Sequence, residues 1–225
     1  MTEAIHKFGI IFDIDGTMVN NTSYHREAWF ELCRRYNIPL DHQSYHEKIH
    51  ARSNDIIIPN LFGPGVDGSF IHKIAEEKEG IYRDSFRPVM QETPGLTALL
   101  NKLRNAKIPC AAASNSPKAN VDFILDEMNF RPFFQSVIYR DIVKIGKPNP
   151  ELFLKAAAGL GISPEKCLVF EDSASGFKAA RAAGMSYIAI TFGADPHELT
   201  EAGDAKAIHK DFSQIKLETL CKIMN

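Results

Sequence analysis

The chain of 225 residues has 26 basic and 28 acidic side chains, a formal net charge of −2, and 44% hydrophobic residues. This balance is typical of a folded protein with one or two domains, and it excludes a disordered, collagen-like or coiled-coil chain. No apolar stretch reaches the roughly 18 residues that a membrane-spanning helix needs. We therefore expect no membrane partner. A near-neutral charge offers no basic field for nucleic acid, so we expect no nucleic-acid partner either.

The cysteines lie far apart and lack the paired spacing of a zinc site or a redox motif; they are Cys33, Cys110, Cys167 and Cys221. The first residues lack the long apolar stretch of a secretory signal. These features predict a reduced, cytoplasmic protein. A monomer is the expected state, with a weak homodimer as the alternative.

Short apolar runs recur along the chain and are typical of strands that helices cover on both faces of a sheet. Four clear runs and a weaker fifth are residues 8–12, 108–113, 167–170, 187–190 and 136–139. Between them, Thr93 is predicted to cap a helix that begins at Pro94, Asn149-Pro150-Glu151 opens another, and Ser173 begins a third that Gly184 ends. The alternation predicts an α/β fold, a Rossmann-like three-layer core with a parallel sheet.

Residues 20–87 interrupt this rhythm, because they hold amphipathic helical patterns and no convincing buried strand. We interpret them as a helical-bundle cap inserted after the first strand. Residues 1–19 and 88–225 would then form the catalytic core. Two linkers, near Val19-Asn20 and Phe86-Arg87, would let the cap close over a site and exclude bulk water.

Polar side chains follow three of the apolar runs, at the points where the predicted strands end. They are Asp13 and Asp15 after the first run, Ser114 and Asn115 after the second, and Glu171 and Asp172 after residues 167–170. Ligands of an open parallel sheet bind beyond the carboxyl ends of its strands. We therefore expect these three groups to converge, although they lie far apart in the sequence.

Four carboxylates gathered at one place repel each other, by about 4 kcal/mol per pair at close range near the protein surface. Compensating positive charge is therefore needed, and Lys147 is one candidate source. A divalent cation is the other, and all-oxygen ligands favour Mg²⁺ or Ca²⁺ over zinc. The pattern predicts a metal and an anionic substrate. For Asp13 and Asp15 taken alone, an ordinary turn after a strand is the alternative.

Asp13-Ile14-Asp15-Gly16-Thr17 resembles the nucleophile motif of the haloacid dehalogenase-like (HAD) superfamily of phosphotransferases. Ser114-Asn115, Lys147 and Glu171-Asp172 resemble its second, third and fourth motifs, in order and at fitting intervals. The match extends from Phe8 to about Ile190. The inserted helices resemble the small cap of the β-phosphoglucomutase-like branch of this superfamily.

The resemblance implies a role for each motif residue and a Mg²⁺ cofactor. Asp13 would be the nucleophile that forms an aspartyl-phosphate, and Lys147 would restrain it. Asp15 would be the general acid and base, and its presence disfavours the dehalogenase branch, which lacks this second carboxylate. The implied phosphate-binding residues are Ser114, Asn115 and Lys147. The implied metal ligands are Asp13, Asp15 through its backbone carbonyl, Asp172, and Glu171 directly or through water.

Within the predicted cap, Tyr24-His25-Arg26-Glu27-Ala28-Trp29 is similar to the Tyr-His-x-x-Ala-Trp stretch of β-phosphoglucomutase. Lys78 stands four residues before Tyr82, as in that family, and Arg52 lies near the position of a cap arginine that holds the distal phosphate there. The resemblance implies that His25, Arg52 and Lys78 contact a substrate with a second anionic end. A solvated charge on the cap surface is the alternative for each.

Three further patterns match known ligand motifs only in part. Residues 63–68 spell a dinucleotide fingerprint, but a proline interrupts the apolar run before them and no second strand follows. Residues 144–148 contain Gly-Lys like a phosphate loop, without its upstream glycine or its following hydroxyl residue. Zinc could bind one helix face that carries His42, His46 and His50, but no further ligand completes that set, and a solvated face fits better.

We expect a Mg²⁺-dependent phosphatase that hydrolyses small phosphorylated metabolites such as sugar phosphates. The nearest alternative is a β-phosphoglucomutase that interconverts glucose 1-phosphate and glucose 6-phosphate through a bisphosphate. These two differ in whether water or a sugar hydroxyl reaches the phospho-aspartate first. A catalytically silent protein that binds a phosphorylated ligand is the second alternative, although such a protein has no need for both Asp13 and Asp15.

Overall fold

The computed structural model describes residues 8–49, 54–194 and 198–224. The chain divides into two compact units, of which unit 1 is Met1–Thr22 with Gln91–Asn225 and unit 2 is Ser23–Met90. The boundaries between the two units fall after residues 22 and 90. Each lies three residues later than the predicted boundary, which was after residue 19 or 87. Among the described helices, none combines the length and the apolar character that crossing a bilayer requires.

Unit 1 contains a sheet of six parallel strands. They are β1 (Gly9–Phe12), β2 (Cys110–Ala113), β3 (Ser136–Ile138), β4 (Cys167–Glu171), β5 (Ser186–Ile190) and β6 (Ala207–His209). Their order in the sheet is β3-β2-β1-β4-β5-β6. The chain therefore builds the sheet from β1 to one edge and then from β4 to the other. The topological switch point, where ligands bind in such sheets, lies between β1 and β4.

Nine α-helices occur in the described residues. They are α1 (Thr22–Arg35), α2 (His42–Lys48), α3 (Asn54–Phe62), α4 (Gly68–Phe86), α5 (Leu96–Asn105), α6 (Lys118–Glu127), α7 (Glu151–Leu160), α8 (Ala174–Ala182) and α9 (Leu217–Met224). Short 3₁₀ helices span Arg87–Val89, Arg131–Phe133, Arg140–Ile142, Pro164–Lys166 and Glu198–Glu201. Strands β1, β2 and β4 are buried along their whole length, as strands covered on both faces must be.

The predicted α/β class with a parallel sheet is confirmed, and all five predicted strands are present. The start of α5 was predicted wrongly. It begins at Leu96 and not at Pro94, because Gly95 before it has a φ of 85° and serves as the N-cap. A Cβ at Gly95 would lie 2.5 Å from the backbone nitrogen of Ser213, so this turn tolerates no side chain.

Unit 2 consists of α1 to α4 around a small apolar core, which contains Trp29, Leu32, Ile49, Ile57, Ile58 and Ile74. The apolar residues before the glycine-rich loop 63–68 lie in α3, a helix that includes Pro59. A dinucleotide loop needs a strand at that place. The helix in front of this loop therefore argues against a dinucleotide-binding site there.

Candidate active site

An acidic cluster lies at the carboxyl ends of the two strands that flank the switch point. Asp13 follows β1, Glu171 is the last residue of β4, and Asp172 comes next. The Asp13 N–H donates to the carbonyl of Phe170 at 3.0 Å, which continues the pairing of the two strands. Each acidic residue offers a carboxylate oxygen within 4.8 Å of the others, and all three residues are buried. The sheet topology thus joins residues that are 158 or more positions apart in the sequence.

Lys147 supplies positive charge to this cluster. Its Nζ donates to Asp13 Oδ1 at 2.6 Å and to Glu171 Oε1 at 3.1 Å, and it lies 4.6 Å from the ring centroid of Phe153. Burial by itself lowers the pKa of Lys147, but attraction to the two carboxylates outweighs burial and raises the pKa above its ordinary value. The lysine is therefore an ammonium group at neutral pH.

One ammonium does not neutralise three carboxylates. Burial and, after it, repulsion from Glu171 raise the pKa of Asp13 to about 8, and the opposing attraction of Lys147 does not cancel the rise. Burial, followed by repulsion from Glu171 and Asp13, also raises the pKa of Asp172 well above its ordinary value. Asp13 Oδ2 is buried and has no hydrogen-bond partner in the described part of the chain. An all-oxygen donor set with excess negative charge fits a hard divalent cation.

Glu171 is held against the first turn of α8. Its Oε2 accepts hydrogen bonds from the backbone N–H groups of Asp172 at 2.9 Å and Ser173 at 3.2 Å. A Cβ at Gly176 would lie 1.9 Å from the Glu171 carboxyl carbon, so the carboxylate lies where any other side chain at 176 would begin. Gly176 is not among the predicted site residues, although a glycine within a helix is itself a signal of close approach.

The Asp13 motif ends in a turn that brings Asp172 close to the backbone. Gly16 has a φ of 86°, and a Cβ there would lie 2.0 Å from Asp172 Oδ2. The hydroxyl of Thr17 donates to Asp172 Oδ1 at 3.1 Å. Glycine is therefore required at position 16 both for its backbone conformation and for the space beside the acidic cluster.

Asp15 belongs to a separate hydrogen-bond network within the same site. Its Oδ1 accepts from Asn21 Nδ2 at 2.6 Å, and its Oδ2 accepts from the hydroxyls of Ser114 at 2.8 Å and Ser116 at 2.7 Å. The structure therefore brings the predicted residue Ser114 to the predicted acid and base. Asn21 and Ser116 were missed, because an asparagine before a helix and a serine in a loop are common in any sequence.

Asn115 joins the second and third motifs. Its Oδ1 accepts from the backbone N–H of Lys147 at 2.8 Å, and its Nδ2 donates to the carbonyl of Lys147 at 3.3 Å. A Cβ at Gly146 would lie 2.5 Å from Asn115 Oδ1, so the two loops are in close contact. Asn115 thus fixes the backbone from which the Lys147 side chain extends.

The predicted cap residues that the structure describes form a cluster inside unit 2. Lys78 Nζ donates to His25 Nδ1 at 2.8 Å and to Glu79 Oε1 at 3.0 Å, and the Lys78 side chain is only 5% exposed. The His25 ring stacks on Tyr82 with centroids 3.7 Å apart, and Lys78 Nζ lies 5.5 Å from the ring centroid of Trp29. Lys78 is therefore a buried charge with an acidic partner and not a solvated one.

The remaining predicted residues of unit 2 are only partly described. Arg52 and His50 lie outside the described residues, so their predictions have no structural counterpart here. His42 and His46 are both on α2, where the ring of His42 packs against Phe30 and the ring of His46 against Tyr45. The described residues contain one candidate metal cluster, and it includes neither histidine.

These features define a class of enzyme. A buried carboxylate held by an ammonium group, a second carboxylate two residues later, and acidic residues suited to a cation are the groups that phosphoryl transfer through a carboxylate nucleophile requires. They lie at the switch point of a parallel α/β sheet, where such sites are expected.

Comparison with known proteins agrees with this class of enzyme. The family model of haloacid dehalogenase-like hydrolases matches residues 9–184, and the chain belongs to this family. It is 32% identical over 184 residues to a fructose-1-phosphate phosphatase of Escherichia coli, covering 81% of this chain and 95% of that protein. It is 29% identical over 191 residues to a β-phosphoglucomutase of Bacillus subtilis, covering 80% and 82%.

A solved structure extends the likeness to nearly the whole chain. A HAD hydrolase of family IA, variant 3, from Entamoeba histolytica has a TM-score of 0.87 and 27% identity, covering 96% of this chain and 99% of that one. The expected resemblance to the HAD superfamily is therefore confirmed. The chain is an enzyme, either a HAD-like phosphatase or a phosphoglucomutase-type phosphotransferase.

Proposed function

We propose that the chain is a Mg²⁺-dependent phosphatase that hydrolyses small phosphorylated metabolites, sugar phosphates above all, through a phosphorylated Asp13. The observation that most supports this is the different state of the two Asp13 oxygens. Oδ1 accepts a hydrogen bond from Lys147 at 2.6 Å, whereas Oδ2 is buried without a described hydrogen-bond partner. One oxygen is fixed in position, and the other is left to attack phosphorus.

The proposed reaction has two steps. Asp13 Oδ2 attacks phosphorus, the ester P–O bond breaks, and the leaving oxygen keeps the electron pair and takes a proton from Asp15. A water molecule then attacks phosphorus and gives a proton to Asp15, while the electrons of the Asp13–phosphorus bond return to the carboxylate. Lys147 orients Asp13 in both steps, and Ser114 and Lys147 are the proposed holders of the phosphoryl group.

The residues that would hold Mg²⁺ are Asp13, Asp172 and the backbone carbonyl of Asp15, with Glu171 acting directly or through water. The oxygen-only cluster and its excess negative charge support this assignment. A bound magnesium ion would supply positive charge for the phosphoryl oxygens. Its requirement is tested by adding EDTA to the assay, then restoring Mg²⁺ or supplying Ca²⁺ instead.

The substrate class is inferred from the relatives and the cap. The fructose-1-phosphate phosphatase and the β-phosphoglucomutase both have a sugar phosphate in their names. His25, Arg52 and Lys78 remain the proposed contacts of the cap with the substrate. All four cysteines are free thiols, which supports a reducing, cytoplasmic location. We further propose a monomer that acts on small molecules and not on nucleic acid or membranes.

A mutase remains the second candidate, because of the similarity to β-phosphoglucomutase over 80% of the chain. One experiment separates the candidates: phosphate release is measured from a panel of phosphate esters with Mg²⁺, and isomer formation is measured from β-glucose 1-phosphate primed with glucose 1,6-bisphosphate. A phosphatase releases phosphate faster than it forms glucose 6-phosphate. The reverse result would establish the mutase, and binding without either product would support a silent binder.

A further inference from the structure

Asn21 has a side-chain amide that is fully shielded from solvent. This amide links the backbone of Gly16 to the carboxylate of Asp15, the second carboxylate of the motif that begins at Asp13. The N–H of Gly16 donates to Asn21 Oδ1 at 3.1 Å and is shared with the carbonyl of Val19 at 2.8 Å. Asn21 Nδ2 donates to Asp15 Oδ1 at 2.6 Å. The amide orientation is fixed at both ends, because its oxygen faces a donor and its nitrogen faces an acceptor.

The two oxygens of Asp15 are held by different kinds of donor. Oδ2 accepts from the hydroxyls of Ser114 and Ser116, which turn about a single bond and can exchange one acceptor for another. Oδ1 accepts from Asn21, whose amide cannot turn without losing its contact with Gly16. A substrate that took up the serine hydroxyls would therefore free Oδ2 and leave Oδ1 bonded to Asn21.

We propose that Asn21 is a positioning residue for Asp15: it anchors Oδ1, so that Oδ2 is the oxygen that gives its proton to the leaving group. This inference rests on the proposed function of Asp15 as the general acid. The proton and electron balance of the proposed first step is unchanged by this role. The proton on Oδ2 moves to the ester oxygen, and that oxygen keeps the electron pair of the broken P–O bond. Asn21 also immediately precedes α1, the helix through which the chain enters unit 2.

The leaving group of the substrate provides a readout that a purely structural role would not change. An alkyl phosphate has a poor leaving group that needs a proton from the acid, whereas 4-nitrophenyl phosphate releases a stabilised anion that does not. The parameter to compare is kcat/KM, because it covers only the steps up to the phosphorylated enzyme. The alkyl substrate is fructose 1-phosphate, or the alkyl phosphate of the panel above that the wild type hydrolyses fastest.

Two substitutions remove the Asn21 donor in different ways. Asn21→Ala deletes the amide, and Asn21→Asp keeps its shape but places an acceptor against Asp15. Each should lower kcat/KM for the alkyl phosphate about 100-fold and for 4-nitrophenyl phosphate about threefold or less. The control is Asn101→Ala, since Asn101 makes an exposed hydrogen bond to the Thr97 carbonyl on α5, a helix that holds none of the proposed site residues, and its loss should leave both values unchanged.

Equal losses on the two esters would assign Asn21 a structural role only and overturn the proposal, as would wild-type activity in Asn21→Asp. Thermal unfolding of each variant identifies one that does not fold, and the other variant then decides. A wild-type enzyme that hydrolyses neither ester would refute the proposed phosphatase function. If the wild-type enzyme is active but the Asn21 variants lose kcat/KM equally on both esters, only the proposed role of Asn21 is refuted and the phosphatase function stands.

Discussion

Lys147 Nζ lies 2.6 Å from Asp13 Oδ1, and both side chains are buried at the carboxyl end of the central strand. Taking both charges out of water is costly, so such a pair is weak evidence for stability. Its value lies in orientation, because the lysine fixes one oxygen of the carboxylate and leaves the other, the proposed nucleophile, without a described hydrogen-bond partner. The same Nζ also reaches Glu171, so one cation joins the two strands of the site.

Lys147→Met should lower kcat by about 100-fold or more, because the phosphoryl group and the nucleophile both lose a fixed positive charge. It should also lower the free energy of unfolding by about 3–5 kcal/mol, since Asp13 and Glu171 stay buried without that partner. Steady-state kinetics and urea unfolding measure the two effects. Lys144→Met, at an exposed position three residues earlier, is the control. A Lys147→Met enzyme with nearly unchanged kcat would contradict the assigned role.

Gly16→Ala should impair the acidic cluster, because the new Cβ would lie 2.0 Å from Asp172 Oδ2 and the backbone φ is 86°. Asp172 must move, and we expect weaker Mg²⁺ activation and a loss of about 1–3 kcal/mol in the free energy of unfolding. Mg²⁺ titration of activity and urea unfolding measure these changes. Gly203→Ala is the control, since a Cβ there meets open space. Equal Mg²⁺ requirements in the two variants would count against the close approach of Asp172.

Lys78→Met should destabilise unit 2 by about 3–5 kcal/mol, because the buried carboxylate of Glu79 loses its ammonium partner at 3.0 Å. Trp29, the single tryptophan of the chain, lies beside Lys78 Nζ, so its fluorescence reports unfolding of this unit. Lys73→Met, on the exposed side of α4, is the control. Adding Glu79→Gln to Lys78→Met should recover part of the loss, and a Lys78→Met protein as stable as the control would refute the pairing.

Cysteine reactivity should be selective at pH 8. Burial raises the pKa of Cys33 and Cys167 to about 11 and of Cys110 to about 12. Because thiolate falls tenfold for each pH unit below the pKa, these three thiols should react slowly with iodoacetamide. Cys221 on α9 is only half-buried and should be alkylated first, as peptide mass spectrometry would reveal. Modification of Cys110 as fast as Cys221 would contradict its burial.

Five of the six strands are predictable from the sequence because their apolar runs are short and nearly continuous, and three of these runs are followed by polar residues. This is the pattern that burial on both faces of a parallel sheet imposes. Strand β6 was not predicted, because its residues are not fully buried, and α6 was not predicted either. The start of α5 was wrong because the contact of Gly95 with Ser213 is not visible in local sequence.

The site was predictable to the extent that its residues carry charge at strand ends. Asp13, Lys147, Glu171 and Asp172 could be proposed together because an acidic cluster requires compensation. Asn21 and Gly176 could not, although the residues they contact are only six and five positions away, because an asparagine or a glycine there does not itself show that it meets the carboxylate of Asp15 or of Glu171. Common residue types acquire a specific role only when the chain has folded.

The central claim is that Asp13 carries the phosphoryl group during turnover, and trapping the intermediate tests it most directly. The enzyme is mixed with Mg²⁺ and its best ester substrate, quenched in acid within milliseconds, digested, and analysed by mass spectrometry. The account predicts a phosphorylated peptide that contains residues 9–16, with the added mass on Asp13, and none in Asp13→Asn, which should be folded and inactive. Turnover retained by Asp13→Asn, or phosphate found on another residue, would contradict the account.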